Sequence, residues 1–196
     1  MHAGEIVVTV FIGFVIVGTL GYVLSIYNSL VALRNNIARS WANIDVLLKQ
    51  RHDELPKLVE VCKQYMGYEQ ETLEKVMQAR TAVATAREGQ NIPALGAAET
   101  QLRLGLGSLF AVAEAYPELK ANTQFQHLQD RITELENSIA DRREYYNESV
   151  NLNNVRIEQF PDLLIAQRFN FGAYELLEFS EQEKTDVNIK ELFGNA

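Results

Sequence analysis

The spacing of histidines and carboxylates is the first place where this sequence could support chemistry. A two-iron site in a helical bundle uses Glu-x-x-His on facing helices, and a zinc-binding helix uses His-Glu-x-x-His. His52 and His127 instead have Lys49 and Gln124 three positions before them, and no two of the three histidines are four residues apart. We therefore predict no metal site and no bound cofactor.

The cysteine and glycine patterns also lack a catalytic signature. Cys62 is the only cysteine, so neither an intrachain disulfide nor a cysteine-rich metal site can form, and we expect its side chain to be buried. The sequence contains no G-x-S-x-G nucleophile elbow, no phosphate-binding loop and no dinucleotide fingerprint. We predict no catalytic residue and no enzymatic activity.

Seven polar residues fall on positions that helical periodicity places inside. They are Arg51, Glu69, Arg80, Arg142, Tyr146, Asn147 and Asn154. A buried polar group without a partner costs about 1 to 3 kcal/mol, so several on one inner side predict a mutual network. One interpretation is that the network sets the register of long antiparallel helices. The other is a polar cavity that binds a small ligand.

The elements that would position these residues begin with an uncharged segment from Ile6 to Tyr27. A helix of about 22 residues is long enough to span a hydrocarbon core of about 30 Å. A cleaved signal peptide would need a basic start and a small-residue cleavage site, and the flanking residues supply neither. We predict a retained transmembrane helix over residues 6–27, in which Gly21 and Ser25 form a weak small-xxx-small pair.

The charged residues around this segment predict its orientation. Arg34 and Arg39 follow it, whereas residues 1–5 contain no Lys or Arg, and the basic side of a membrane helix stays in the cytoplasm. We predict a short extracytoplasmic N-terminus over residues 1–5 and a cytoplasmic C-terminal domain. The net charge of -8, without a cluster of basic residues, argues against a nucleic-acid partner.

The apolar residues after Tyr27 repeat every seven positions, which predicts a helix packed along one seam. The seam contains two columns: Leu30, Ile37, Ile44, Leu58, Tyr65 and Ala79, and Trp41, Leu48, Leu55, Cys62, Val76 and Val83. Its polar exceptions are Arg34, Arg51, Glu69 and Thr72. We predict one helix from the membrane segment to about Glu88, kinked but not broken at Pro56.

Three further helices complete a predicted all-α fold. The second runs from Pro93 to the Tyr116-Pro117 step, and the third runs from Asn122 or Thr123 to Phe160-Pro161. A shorter fourth helix is expected from Asp162 to about Phe179. Residues 28–179 would form a long antiparallel helical bundle, followed by an acidic tail over residues 180–196 that we expect to be mobile.

Several short stretches occur along the chain in a specific order. They are Tyr27-Asn28-Ser29-Leu30-Val31, Trp41-Ala42-Asn43-Ile44-Asp45-Val46, Leu48-Lys49-Gln50-Arg51, Leu55-Pro56-Lys57-Leu58-Val59, Ala79-Arg80, Tyr116-Pro117-Glu118-Leu119-Lys120-Ala121, Phe125 with Leu128-Gln129, Glu136, Arg142-Arg143, Tyr146-Asn147 with Val150, and Phe160-Pro161. Over about residues 27 to 179, the sequence resembles the LemA family. The resemblance implies a bacterial inner-membrane protein with one N-terminal crossing, an antiparallel helical domain and no established catalytic activity.

The sequence departs from the family pattern at three places. Asn153-Asn154 stands where a second Tyr-Asn pair is usual, and Leu163 replaces a usual Asn. Asn170 stands where Gly is usual between two aromatic residues. These departures concern the end of the third predicted helix and the start of the fourth.

We expect a scaffold protein whose anchored helical rods associate side by side, and the resemblance to the LemA family implies a structural or envelope-related role. The seam that continues from the membrane segment and the lack of catalytic motifs both favour this function. The alternative is a binding or chaperone-like module that holds a peptide or a membrane partner in a groove between helices. The predicted partners are the lipid bilayer through residues 6–27, further copies of the chain and an unidentified protein.

Overall fold

The protein is all-α, as the sequence predicts, in the part of the chain that the structure describes. The structure is a computed structural model and describes residues 3–178. Its helices are α1 (Ala3–Tyr65), α2 (Gln70–Glu88), α3 (Ile92–Ala113), α4 (Pro117–Lys120), α5 (Thr123–Glu158) and α6 (Asp162–Arg168). The predicted acidic tail over residues 180–196 lies outside the described residues.

The chain divides into two compact units, both of which use parts of α1 and α5. The N-terminal unit contains residues 3–41 and 146–174, and the central unit contains residues 42–145 and 175–178. In the central unit, Arg51 of α1 contacts Glu136 of α5, and Tyr65 of α1 contacts Asn122 at the start of α5. Higher residue numbers on α1 therefore meet lower ones on α5, so the two helices are antiparallel within this unit, as predicted.

The predicted seam is the core of α1 and α2. Ten of its twelve apolar members are buried, and Trp41 and Tyr65 are half-buried. Cys62 is buried as expected, and burial raises the pKa of its thiol to about 11. The thiol is therefore held neutral and apolar in character, which fits a packing role.

The prediction of one helix from the membrane segment to Glu88 is wrong, because α1 ends at Tyr65 and α2 begins at Gln70. The helix does continue through Pro56. The interruption lies instead around Gly67, where glycine weakens the helix and the two seam positions that follow hold Glu69 and Thr72. No buried apolar seam residue is available there to offset the loss of helical hydrogen bonds.

The boundaries of α3 and α5 agree with the predicted helices, and asparagines cap both. Asn91 accepts a hydrogen bond from Ala94 N at 3.0 Å, and Asn122 accepts one from Phe125 N at 3.0 Å. The turn between α2 and α3 falls where Gly89 predicts it, although the residue with positive φ is Gln90, at 49°. The single turn of α4 after Tyr116 was not predicted.

The fourth predicted helix begins at Asp162 but ends at Arg168, so its predicted extension to about Phe179 is wrong. Asn170 has a φ of 57°, in the left-handed region that terminates helices. Residues 171–178 then run without helix. The left-handed residue occupies the position where the family pattern has glycine, and Asn is the other residue type that commonly adopts this conformation.

Candidate functional site

A buried ion triad connects three helices of the central unit. Arg51 of α1 donates from Nη2 to Glu99 Oε1 of α3 and from Nη1 to Glu136 Oε1 of α5. Arg51 and Glu99 are almost completely buried, and Glu136 is about a fifth exposed. Each of the three side chains lies on a different helix, so the triad fixes where these helices meet along their lengths.

The electrostatics of the triad favour a structural role. Burial raises the pKa of Glu99, and the attraction of Arg51 only partly opposes this effect. Burial alone would lower the pKa of Arg51, but the two carboxylates outweigh it and raise that pKa. Arg51 is therefore firmly charged and pairs with both carboxylates through its two terminal nitrogens, whereas a group that transfers protons would need a pKa close to neutral pH.

The predicted burial of the seven polar residues is confirmed at some of them and wrong at others, and the partners of Arg51 and Arg80 are residues outside the predicted set. Arg51 is buried in the triad, and Arg80 donates from Nε to the carbonyl of His52 at 2.9 Å. Arg142 is exposed, so its predicted burial is wrong, and the half-buried arginine is the neighbouring Arg143. The remaining predicted residues differ in burial. Tyr146 is buried, whereas Glu69, Asn147 and Asn154 are half-buried.

Sequence reasoning missed Glu99, which is the most buried carboxylate of the triad. A signal for it exists, because Glu99 is the only charged residue between Ile92 and Leu102. A single charge inside a run of small and apolar residues indicates a paired buried group. Asn153 and Asp162 are two further buried polar residues that were not predicted.

In the N-terminal unit, two adjacent asparagines hold the non-helical segment that follows α6. Asn154 makes two hydrogen bonds to the backbone of Tyr174, accepting from its N at 3.0 Å and donating to its O at 2.9 Å. Asn153 donates to the carbonyl of Gly172 at 3.0 Å. The side-chain amide of Asn154 thus replaces a strand partner for residue 174, which explains why amides occupy the two positions.

Aromatic and basic residues from α1 and the α6 region form a second cluster in the N-terminal unit. The ring of Tyr27 lies 4.9 Å from the ring of Phe169 and 5.8 Å from that of Phe171, both in edge-on geometry. The guanidinium of Arg34 lies 5.6 Å from the Phe171 ring centre, and that of Arg168 lies 5.8 Å from the Phe169 ring centre. Such cation–π contacts hold the charges beside an apolar surface.

Other features of the described residues point to surfaces rather than chemistry. Among residues 3–178, no group of three or more His, Cys, Asp or Glu side chains is arranged to hold a metal ion. A groove of about 670 Å³ lies where α1 ends and α2 begins. It is lined by Val59, Lys63, Met66, Gly67, Gln70, Leu73, Glu74 and Met77.

The N-terminal part of α1 is compatible with single-pass anchoring in a membrane. Within the described residues, this helix alone is long and apolar enough to cross a bilayer, and the residues from Ile6 to Tyr22 are all exposed. The fold and this exposed apolar segment define an all-helical, membrane-associated protein. The sequence model described as the LemA family matches residues 40–190, and the chain belongs to the LemA family.

Individual relatives are similar over most of the chain. Protein LemA of Metamycoplasma hominis is 27% identical over 165 residues, covering 84% of this chain and 74% of the relative. Magnetosome protein MamQ 2 of Paramagnetospirillum magneticum is 23% identical over 201 residues, covering 91% of this chain and 74% of the relative. Magnetosome protein MamQ of Magnetospirillum gryphiswaldense is 23% identical over 186 residues, covering 83% of this chain and 68% of the relative.

Proposed function

We propose that this protein is a membrane-anchored helical scaffold of the bacterial inner membrane, without catalytic activity. The main support is α1 itself: its exposed apolar segment from Ile6 to Tyr22 continues, in the same helix, into residues that are buried in protein. Because one helix forms both the anchor and part of the folded protein, the anchor holds the folded part at the membrane, which is a structural role. The buried charges support this role, because the triad is engaged in ion pairs between helices.

The proposed orientation places the N-terminus outside and the folded part in the cytoplasm. Its support is the positive-inside asymmetry, with Arg34 and Arg39 after the segment and no basic residue in residues 1–5. A reporter enzyme that works only in the cytoplasm, fused after Ala196, should be active. An inactive fusion, together with an active periplasmic reporter at the same position, would reverse the orientation.

The scaffold role includes self-association through the membrane segment. A Cβ added at Gly21 or at Gly13 would meet no atom within 4 Å, so both glycines present an open surface. Only Gly21 has a small residue, Ser25, four positions later, as helix pairs that approach closely require.

Cross-linking in native membranes tests this association. The full-length chain should give bands above the monomer, and Gly21→Leu should weaken them more than the matched change Gly13→Leu. Both substitutions add apolar surface at open positions, so neither should alter folding or membrane insertion. A monomer at every expression level would contradict self-association.

The second candidate is a binding module, which the groove between α1 and α2 favours. Two methionines, Met66 and Met77, line this groove, and methionine adapts to varied partner shapes. Under this function a protein of different mass should co-purify in fixed ratio after detergent extraction. Substituting Met77→Gln should then remove that partner, whereas the cross-linked ladder of the scaffold should remain.

A further inference from the structure

The boundary between lipid-facing and protein-covered residues on α1 is sharp. The residues from Ile6 to Tyr22 are exposed, whereas Ile26 is only 4% exposed and Leu30 is completely buried. Ile26 and Leu30 pack with Ala166 of α6, and Leu33, Ile157, Ile165 and Phe171 surround them. Protein therefore begins to cover the helix at the position where an anchor of about 22 residues would leave the hydrocarbon core.

The α6 region reaches this position with aromatic side chains. Tyr27 closes the uncharged segment, and the rings of Phe169 and Phe171 contact it at 4.9 and 5.8 Å. Tyrosine is enriched at the level of the lipid headgroups, where its apolar ring and its polar hydroxyl are both satisfied. If the anchor crosses a membrane, these contacts place the α6 region at the membrane surface.

The same region leaves large apolar side chains uncovered. Phe160 is 80% exposed, Leu164 is 56% exposed, and half of Phe169 is exposed. Leu164 projects from α6 on the side away from the buried Ala166 and Asp162. Exposed apolar side chains on a short element beside a membrane boundary are typical of segments that lie in the interface.

Charge on this surface also suits a membrane. Arg34 and Arg168 are exposed and lie against the rings of Phe171 and Phe169, of which Phe171 is half-buried and Phe169 is exposed. The acidic residue at the start of α6, Asp162, is buried and paired with Arg156. The exposed basic groups thus match the phosphates of anionic lipids, to which arginine binds with charge-assisted hydrogen bonds.

We propose that residues 160–171 form a second membrane contact, which lies in the headgroup region of the bilayer beside the anchor. Phe160, Leu164 and Phe169 face the acyl chains, and Arg34 and Arg168 bind the phosphates of anionic lipids. This contact rests on the proposed membrane crossing of α1. It would fix the rotation and depth of the anchor, because lipid then holds the chain at two separate segments.

Tryptophan fluorescence with brominated lipids tests this contact in the full-length protein. Trp41→Phe removes the single native tryptophan, and single probes are then introduced as Leu164→Trp, Leu152→Trp and Phe14→Trp. Leu152 lies on α5 in the same unit and is 54% exposed, so it matches Leu164 in exposure. Each variant is reconstituted in vesicles of equal parts phosphatidylglycerol and phosphatidylcholine, with bromine on the acyl chains.

The probe at 164 should be quenched several-fold more strongly than the probe at 152. The probe at 14 reports the anchor, and its quenching is expected whenever α1 crosses the bilayer. Quenching at 14 together with equal, weak quenching at 164 and 152 would overturn the second contact while leaving the anchor intact. A blue-shifted but unquenched probe at 164 would also overturn it, in favour of a protein occupant. Failure at 14 would refute the membrane crossing itself.

The arginines provide a separate arm of the same experiment. Quenching at 164 should be weaker in vesicles of phosphatidylcholine alone, and the double substitution Arg34→Gln with Arg168→Gln should abolish this dependence on anionic lipid. Arg39→Gln is the matched control, because Arg39 is an exposed arginine on α1 about 18 Å beyond Tyr27 along the helix. Quenching that is insensitive to lipid charge would contradict the assignment of the two arginines.

Discussion

The two units of the molecule fix their parts in different ways. The central unit holds three helices together with buried charges, Arg51 against Glu99 and Glu136. The N-terminal unit holds a non-helical segment with neutral amides, as Asn153 and Asn154 bind the backbone at Gly172 and Tyr174. A helix already satisfies its own backbone, so only side chains can connect it to its neighbours. A non-helical segment still needs partners for its N–H and C=O groups.

This difference predicts unequal consequences of losing one group. A buried charge that loses its partner remains costly because it stays out of water, whereas a lost amide leaves two backbone groups that solvent can reach. Substitutions in the central triad should therefore reduce stability more than substitutions in the asparagine pair. The predictions below test this contrast.

Arg51→Met should give the largest effect. The substitution removes the guanidinium that pairs with both Glu99 and Glu136, and breaking a buried ion pair in this way costs about 3 to 5 kcal/mol of unfolding free energy. Urea unfolding of the full-length protein in detergent, followed by circular dichroism, measures it. Lys57→Met is the control on the same helix, since Lys57 makes an exposed pair with Glu54 and should change stability by no more than about 0.5 kcal/mol.

Removing the carboxylate should cost less than removing the arginine. Burial already raises the pKa of Glu99 and so favours its neutral form, which the amide of Glu99→Gln resembles in shape and polarity. Arg51 also keeps Glu136 as a partner in that variant.

Equal losses of stability for Arg51→Met and Lys57→Met would show that the triad does not stabilise the helices of the central unit.

Gly96→Ala should produce the next largest effect, at a place where α3 contacts the non-helical residues 175–178 of the central unit. An added Cβ at Gly96 would overlap the carbonyl oxygen of Glu178, a backbone atom. We expect a loss of about 1 to 3 kcal/mol, which is typical of overpacking. Release of this segment would also expose Leu177, so cleavage by thermolysin at this residue should become faster.

The control for this prediction lies on the same helix. A Cβ at Gly107 would meet no atom within 4 Å, so Gly107→Ala should stabilise α3 by about 0.5 to 1 kcal/mol through helix propensity. A loss of stability in Gly96→Ala and a gain in Gly107→Ala would confirm that residues 175–178 pack against α3 because Gly96 has no side chain. A stabilising effect of both would show that the segment does not rest on α3.

The seven-residue pattern predicted the core of α1 and α2, and its polar exceptions carried most of the information about the site. Arg51 forms the triad, Arg34 contacts Phe171, Glu69 lies in the break between α1 and α2, and Thr72 lies in the first turn of α2. The break was therefore visible as two successive polar seam positions beside Gly67. It was missed because the apolar phase resumes correctly at Val76, and a periodic pattern does not distinguish a continuous helix from two helices in phase.

The features that could not be predicted depend on contacts between distant residues. Apolar residues such as Leu176 and Leu177 gave a helical pattern beyond Arg168, but the segment is not helical because Asn154 pairs with the backbone of Tyr174. Local propensity does not report such a partner. Glu99 differs, since its isolation among small residues was visible, yet only the fold shows that Arg51 and Glu136 are the groups that neutralise it.

Asn154→Ala tests the N-terminal unit, where we expect the smaller loss of stability. It removes two hydrogen bonds to the backbone of Tyr174, and we expect a loss of about 1 to 2 kcal/mol, below that of Arg51→Met. Hydrogen exchange should accelerate at the amide of Tyr174. The control is Asn151→Ala, an exposed position on α5, which should not destabilise the protein and should leave exchange at Tyr174 unchanged. A loss in Asn154→Ala as large as in Arg51→Met would refute the contrast between the two units.

The smallest expected effects concern one left-handed residue in each unit. Gln90 in the central unit has a φ of 49°, and Asn170 in the N-terminal unit has a φ of 57°. Glycine adopts this region without strain, so Gln90→Gly should stabilise the protein by about 0.5 to 1 kcal/mol. Asn170→Gly should gain less, because asparagine tolerates the left-handed region better than glutamine does. Thermal unfolding of both variants measures the difference, and a larger gain at Asn170 than at Gln90 would contradict the better tolerance of asparagine for the left-handed region.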